Sequence, residues 1–354
     1  MLKDSVERLV SERYPFEKRA EHAAEPRGFS EAMWEEMAEL GLTALPFGEQ
    51  LGGLGLGGVE MMIVGEAVGR GLLLEPYLSS IVLAGTAIAQ GAEDGEAAAR
   101  LSAIMTGETV AALADHATIT ASVVDGGVRL DGAATMVLGG DQAALFVLPA
   151  GNSGWMVSAD APGLRVRGYR LHGGGGAADL TLEGVRVGAE AHVAVQAMTR
   201  AIEAGIAFLA AEAAGATRAA LDLTVGYLKT REQFGKPIGS NQALQHRAAE
   251  LLVEVEQASS AAIYAALLAE EYDPAERARG TAAVKAVIGK VGRFVAQQTV
   301  QLHGGIGVSE EHIISHYFRR LTAIGMLLGG TDAQLKRLAD LGGFTRPRAH
   351  LDLA

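Results

Sequence analysis

The chain holds 354 residues, 49% hydrophobic and 20% charged, which suffices for two or three domains with buried cores and excludes an intrinsically disordered chain. Its 30 basic and 42 acidic side chains leave a formal net charge of −12, so no positive field exists to draw in a phosphate backbone, and nucleic acid is excluded as the main partner. Cysteine is absent, which removes disulfides, thiolate metal sites, iron–sulfur clusters and cysteine nucleophiles.

The first 19 residues are charged throughout and do not read as a signal peptide. No run of 18 uninterrupted apolar residues suggests a membrane span, so a soluble cytoplasmic protein is expected. Helical patterning comes first. Ser30 to Leu40 places Met33, Trp34, Met37 and Leu40 on one face, with Gly41 as a stop. Further helices are expected over roughly Val59 to Gly69 and Ile81 to Gln90. Between Val110 and Val195 the pattern changes to short β-type runs at 110–114, 119–124, 128–130, 144–148, 155–157, 164–169 and 179–182. Asp125-Gly126 between two of them is a hairpin signal, and strands without intervening helices read as an antiparallel barrel or sandwich. From about Met198 the chain is helical again. Leu244, Ala248, Leu251, Val255, Ala258 and Ala262 form one stripe, and Asp273-Pro274 supplies a cap and first-turn proline for a helix carrying Val284, Ile288, Val291 and Val295. The expected organisation is α+β and multidomain: an N-terminal helical domain (1–108), a middle antiparallel β-barrel (109–196) and a C-terminal four-helix bundle (197–354).

Three motifs have plain structural readings. Gly53-Leu54-Gly55-Leu56-Gly57-Gly58 satisfies the spacing of a dinucleotide fingerprint, but a helical segment precedes it where a strand is required, so a tight loop is expected. His312 and His316 lie four apart beside Glu310 and Glu311 without a third ligand, and no metal site is expected. His172 with its four following glycines mimics an oxyanion loop, yet no Gly-x-Ser-x-Gly elbow accompanies it, so it reads as a hairpin end.

Two segments carry more. Tyr227 to Gln242 holds Arg231-Glu-Gln-Phe234-Gly235 followed by Lys-Pro-Ile238; Gln301-Leu-His-Gly304-Gly305-Ile-Gly307 follows the helix with Val284 to Val300. Arg pairs with phosphate and glycine lets backbone N–H groups approach it, although helix caps remain an equal reading of the bare chemistry. Together and in this order they resemble the acyl-CoA dehydrogenase family, as does Leu51-Gly52-Gly53-Leu54-Gly55-Leu56 with Glu60. The resemblance covers nearly the whole chain. It implies FAD between barrel and bundle, with Arg231 and Phe234 at its diphosphate and adenine half. Gln301, Gly304 and Gly305 would reach that region from the neighbouring subunit, and Ile238 and Gln242 would line the contact. It implies α,β-desaturation of an acyl-CoA thioester, electron-transfer flavoprotein as acceptor, and a tetramer.

The pattern breaks where the chemistry should be. Gly329 stands where the family's usual catalytic Glu is expected, before Gly330-Thr331, and Gly205 stands at the alternative position on the preceding helix. Glu203 and Glu212 are nearby but out of register. Leu113-Ala-Asp115-His116 and Met136-Val137-Leu138-Gly139 replace the segments that contact the flavin ring, leaving Asp115, His116 and Asp332 as substitute bases. The combination resembles the small subunits of heteromeric acyl-CoA dehydrogenases, such as pimeloyl-CoA dehydrogenase and bacterial steroid side-chain enzymes. There, a related chain supplies the base within an α2β2 heterotetramer. The alternatives are a homo-oligomer with a relocated base, a flavin-free structural or regulatory subunit, and a monooxygenase or nitroalkane-oxidase-like activity. Small residues near the pocket would suit a bulky acyl group.

Overall fold

The computed structural model describes residues 2–92 and 94–343. The chain opens with α1 (Leu2–Arg13), α2 (Arg19–Ala24) and α3 (Glu31–Glu39). Ser30 caps α3, its hydroxyl accepting the Met33 N–H at 3.2 Å. Met33, Trp34 and Met37 are buried as the spacing predicts, but Leu40 falls on the C-cap and is exposed. Gly41 follows at φ 73°, a conformation that favours glycine. The glycine loop does lie between helical segments: a Cβ at Gly53 would stand 2.1 Å from the Phe47 carbonyl oxygen, so only glycine fits.

Next comes α4 (Gly58–Gly71). The apolar run expected as one helix over Ile81 to Gln90 is a π-helical stretch, Tyr77–Gly85, wholly buried, that tightens into α5 (Thr86–Gly91). It is followed by α6 (Asp94–Met105). The Trp34 indole donates to the Gly107 carbonyl at 3.0 Å and so ties α3 to the end of α6.

The middle region holds β1 (Ala111–Leu113), β2 (Ala117–Val124), β3 (Gly127–Leu138), β4 (Leu145–Ala150), β5 (Ser153–Ser158), β6 (Leu164–Arg170), β7 (Gly176–Val187) and β8 (His192–Ala194). They form two four-stranded sheets, β1-β4-β5-β8 and β2-β3-β7-β6. Every pair is antiparallel except β1 with β4, which run parallel. Asp125-Gly126 is the two-residue loop between β2 and β3, with Val124 opposite Gly127.

The last part begins with α7 (Val195–Thr230), which packs on α4, α5 and the π-helical stretch. A short hairpin of β9 (Glu232–Gln233) and β10 (Lys236–Pro237) leads to α8 (Gln242–Leu268), α9 (Pro274–His303), α10 (Ile313–Met326) and α11 (Thr331–Asp340). Asp273 caps α9 through the Ala275 N–H at 2.8 Å, with Pro274 in the first turn. Helices α8, α9 and α10 all pack on α7. The expected stripes of α8 and α9 face inward, with Leu251, Val255, Ile288 and Val295 fully buried.

Helices α4 and α7 meet at backbone level. A Cβ on Gly69 would lie 2.0 Å from the Glu212 carbonyl oxygen, and one on Gly215 2.0 Å from that of Glu66. Two helices, α7 and α8, are long and apolar enough to cross a membrane, but most of the α7 window is buried inside the protein and less than half of the α8 window is.

Candidate functional site

The two informative segments come together at one end of the bundle. Arg231 is the C-cap of α7, where its N–H donates to Tyr227 O at 2.8 Å. Four residues back, Tyr227 stacks on His303 at 4.6 Å, and His303 closes α9 two residues beyond Gln301. The His303 ring is buried, and that burial lowers its pKa even though Nδ1 lies 2.8 Å from Thr299 O.

Between these ends the backbone is unusually open. Phe234 and Gly235 form the tip of the β9–β10 hairpin, at φ 54° and 78°. Such a tip needs two left-handed residues, which Phe adopts at a cost. Its ring is nonetheless 100% exposed. The Arg231 guanidinium is exposed and has no carboxylate partner among the described residues. Ile238 is half-buried, and its N–H donates to Arg231 O at 2.8 Å; Gln242 starts α8 facing solvent. Gln301 is exposed, and Gly304 (φ 63°) and Gly305 would have no atom within 4 Å of an added Cβ. A bare cationic fork, an exposed aromatic and an open glycine pair suit a diphosphate and a flat ring.

The positions expected for a base differ in kind. Gly329 has φ +93°, and an added Cβ would meet Gln334 Nε2 at 2.6 Å. Gln334 is buried there, its amide donating to Leu328 O at 2.8 Å. Gly205 is filled over from both sides, since its Cβ would stand 2.6 Å from Leu83 Cδ2 and 2.8 Å from Leu328 Cδ1. Two leucines therefore occupy the space beside Gly205.

Neither glutamate on α7 is available. Glu203 is buried and held at 2.5 Å by Arg277, with Arg200 at 3.6 Å. Glu212 is buried in a two-pronged pair with Arg320, whose Nη2 donates to Oε2 at 2.8 Å. Asp115 is half-buried with His116 at 3.7 Å, and Asp332 is exposed in the first turn of α11.

Around the end of β3 lies a small cavity of about 70 Å³, bounded by Leu138, Gly139, Leu78, Ser79 and Leu327. Met136 opens a β-bulge at φ 53°, its N–H donating to Asp179 Oδ1 at 3.1 Å. No hydroxyl or aromatic group stands at 136–139 to meet a flavin ring, so this half of the site fits one poorly. Glu75, fully buried on the cavity wall, has its pKa pushed up to about 7 by that burial, against the N–H groups of Ser30 and Leu74 that favour the carboxylate.

The histidine pair serves α10. His312 Nδ1 accepts the Ile314 N–H, while His316 binds Arg19 at 3.1 Å and lies 2.9 Å from Glu310 O. His172 sits on the β6–β7 turn. Sequence reading missed Leu83, Leu328 and Gln334, which pack against Gly205 and Gly329, and Arg277 and Arg320, which neutralise the glutamates. Leu83, Leu328, Arg277 and Arg320 leave no local signal because each acts on a residue distant in the chain, whereas Gln334 lies only five residues beyond Gly329.

Residues 1–108 match the acyl-CoA dehydrogenase N-terminal domain and residues 195–341 the C-terminal domain. The acyl-CoA dehydrogenase FadE27 of Mycobacterium tuberculosis is 31% identical over 333 residues, 88% of this chain and 87% of that one. The acyl-CoA dehydrogenase IpdE2 of the same organism is 33% identical over 344 residues, 96% of this chain and 95% of that one. The ChsE4-ChsE5 complex from M. tuberculosis contains a chain that superposes with a TM-score of 0.90 at 27% identity, over 98% of this chain and 97% of the other. A chain of the Tcur3481-Tcur3483 steroid ACAD does so with 0.89 at 29% identity, over 96% of each. From its ordered helices through the sheets to the bundle, this chain belongs to the acyl-CoA dehydrogenase family.

Proposed function

We propose that the chain is the base-lacking subunit of a hetero-oligomeric, FAD-dependent acyl-CoA dehydrogenase. The observation that carries this reading is the pair of packed glycines. A base must come within hydrogen-bond reach of the substrate α-proton. Gly329 is held in a left-handed turn against Gln334, and Gly205 is covered by Leu83 and Leu328. A related chain would supply the base and the ring contacts.

The diphosphate and adenine half supports the assignment from the other side. Bound FAD supplies the hydride acceptor for α,β-desaturation of an acyl-CoA thioester. Arg231 would pair with its phosphate oxygens, Gly304 and Gly305 would admit close backbone approach, and Phe234 would offer its exposed ring. Gln301, Ile238 and Gln242 border the same end. An apolar stripe on α8, including Val253, Ile263 and Leu267, stays exposed in the single chain and supports burial against other subunits. The likeness to a steroid ACAD supports a bulky, steroid-type acyl-CoA as substrate. Electron-transfer flavoprotein is the acceptor that family resemblance suggests.

The test is flavin content and subunit mass, measured on the chain expressed alone and with a neighbouring dehydrogenase chain. The expected result is little flavin alone and one FAD per pair of unlike chains together. A homo-oligomer with one FAD per chain that desaturates acyl-CoA unaided would overturn the proposal. The empty chemistry at 136–139 favours a second reading, a flavin-free subunit. Arg231→Gln in the assembly decides between them, since flavin loss contradicts the flavin-free role.

A further inference from the structure

A second cavity of about 180 Å³ opens where α4, α5, α7 and the end of α8 meet. At about 100° per residue, α7 points Gly205 at Leu83 and Leu328 but turns its neighbours Ala204, Ala207 and Phe208 toward this different space. Met61 and Met62 of α4 and Val82 complete an apolar wall. Methionine makes such a wall adaptable to aliphatic shapes.

One end of the cavity carries Arg200, whose guanidinium lies among two carboxylates, Glu203 and Glu270, and a second arginine, Arg277. Arg200 is 30% exposed and makes a single hydrogen bond, from Nη2 to Ala269 O at 3.1 Å. Its nearest carboxylate, Glu203 at 3.6 Å, is already held at 2.5 Å by Arg277. Two guanidinium groups thus share one buried carboxylate. A smaller cavity continues past Arg200 to Arg277, sharing Thr86 and Gln90 with the larger one. At the rim, Glu270 Oε1 accepts the Gly58 N–H at 3.4 Å. Burial, and then the neighbouring Arg277, lower the Arg200 pKa, against Glu203 and Glu270, which raise it.

We propose that this cavity is a second ligand site, for an amphipathic monocarboxylate of medium-chain fatty-acid size, with its chain against Met61, Met62 and Phe208 and its carboxylate on Arg200. The site is separate from the glycine-blocked base positions and from the Arg231 end of the bundle, and it does not depend on the subunit role proposed above. A planar guanidinium with free N–H groups accepts a carboxylate through two parallel bonds, and the surrounding apolar wall strengthens that pairing.

Decanoate and its methyl ester, titrated calorimetrically into the assembled protein, test the proposal. Decanoate is expected to bind saturably. Arg200→Gln leaves the Arg277–Glu203 pair in place and is expected to weaken decanoate about tenfold while leaving methyl decanoate unchanged. Ala207→Leu fills the cavity and is expected to abolish both. If that variant fails to fold, peptide mass spectrometry on the unaltered protein replaces it: decanoate should protect Met61 and Met62 from peroxide. Unsaturable binding, equal decanoate affinity in Arg200→Gln, or unprotected methionines would each overturn the assignment.

Discussion

Placing a carboxylate at position 329 should damage the chain without giving it activity. In Gly329→Glu, a non-glycine residue at φ +93° costs about 1–2 kcal/mol. Its Cβ would also stand 2.6 Å from Gln334 Nε2 and push aside the amide that donates to Leu328 O. Leaving that carbonyl unpaired costs about 1–3 kcal/mol more. The sum, about 2–5 kcal/mol, corresponds to a melting temperature lower by about 5–15 °C for a unit the size of the helical bundle. Gly329→Ala meets both terms at Cβ and should lose nearly as much, which separates backbone strain from the effect of charge. Scanning calorimetry reads the stability, and acyl-CoA desaturation with an artificial acceptor reads activity. Neither variant should gain turnover when expressed alone, because Leu83 and Leu328 still cover Gly205. An unaltered melting temperature, or unaided desaturation by Gly329→Glu, would refute the reasoning.

Other outcomes follow from buried charge and close packing. Glu212→Gln leaves Arg320 without its ionised partner and should destabilise by about 3 kcal/mol in urea, with flavin content and turnover per intact assembly unchanged. Burial lowers the Lys285 pKa from 10.5 to about 8, so below pH 8 its charge is a burden on the fold. The folded chain binds fewer protons than the unfolded one between those values, so this contribution to stability rises with pH across that window. Lys285→Met should therefore exceed the parent at pH 7 by about 1–3 kcal/mol, with the gap closing toward pH 10 in denaturation curves. Gly215→Ala places a methyl on the Glu66 carbonyl and should cost about 1–3 kcal/mol, measured as a lower urea midpoint.

Local pattern revealed most of the architecture. The seven β-type runs correspond to observed strands because alternation and turn residues are short-range signals, and the Asp125-Gly126 loop falls where the dipeptide stands. The β1–β4 parallel pair was not visible, since strand pairing across 34 residues leaves no local trace. The π-helical stretch was not either: an all-apolar segment buried on every side carries no face from which to count residues per turn. For the candidate site, the order of the Arg231 and Gln301 motifs and the glycines at 329 and 205 were readable. The arginines that occupy Glu203 and Glu212 lie 74 and 108 residues away, so those glutamates stood as candidates until folding showed their partners.

The glycine contacts between α4 and α7 also bear on motion. Side chains slide past one another by changing rotamer, but a carbonyl oxygen resting on an opposing Cα has no such freedom. Gly69 and Gly215 lock the two helices at both Glu212 and Glu66, so a small shear along α7 would drive backbone into backbone. Separation of these helices is then all-or-none, and the amides of α4 and of the α7 segment beneath it should exchange with solvent deuterium as one slow unit. Breathing that admits ligands must come instead from the loops and sheets, leaving the seam as the stationary frame against which they move.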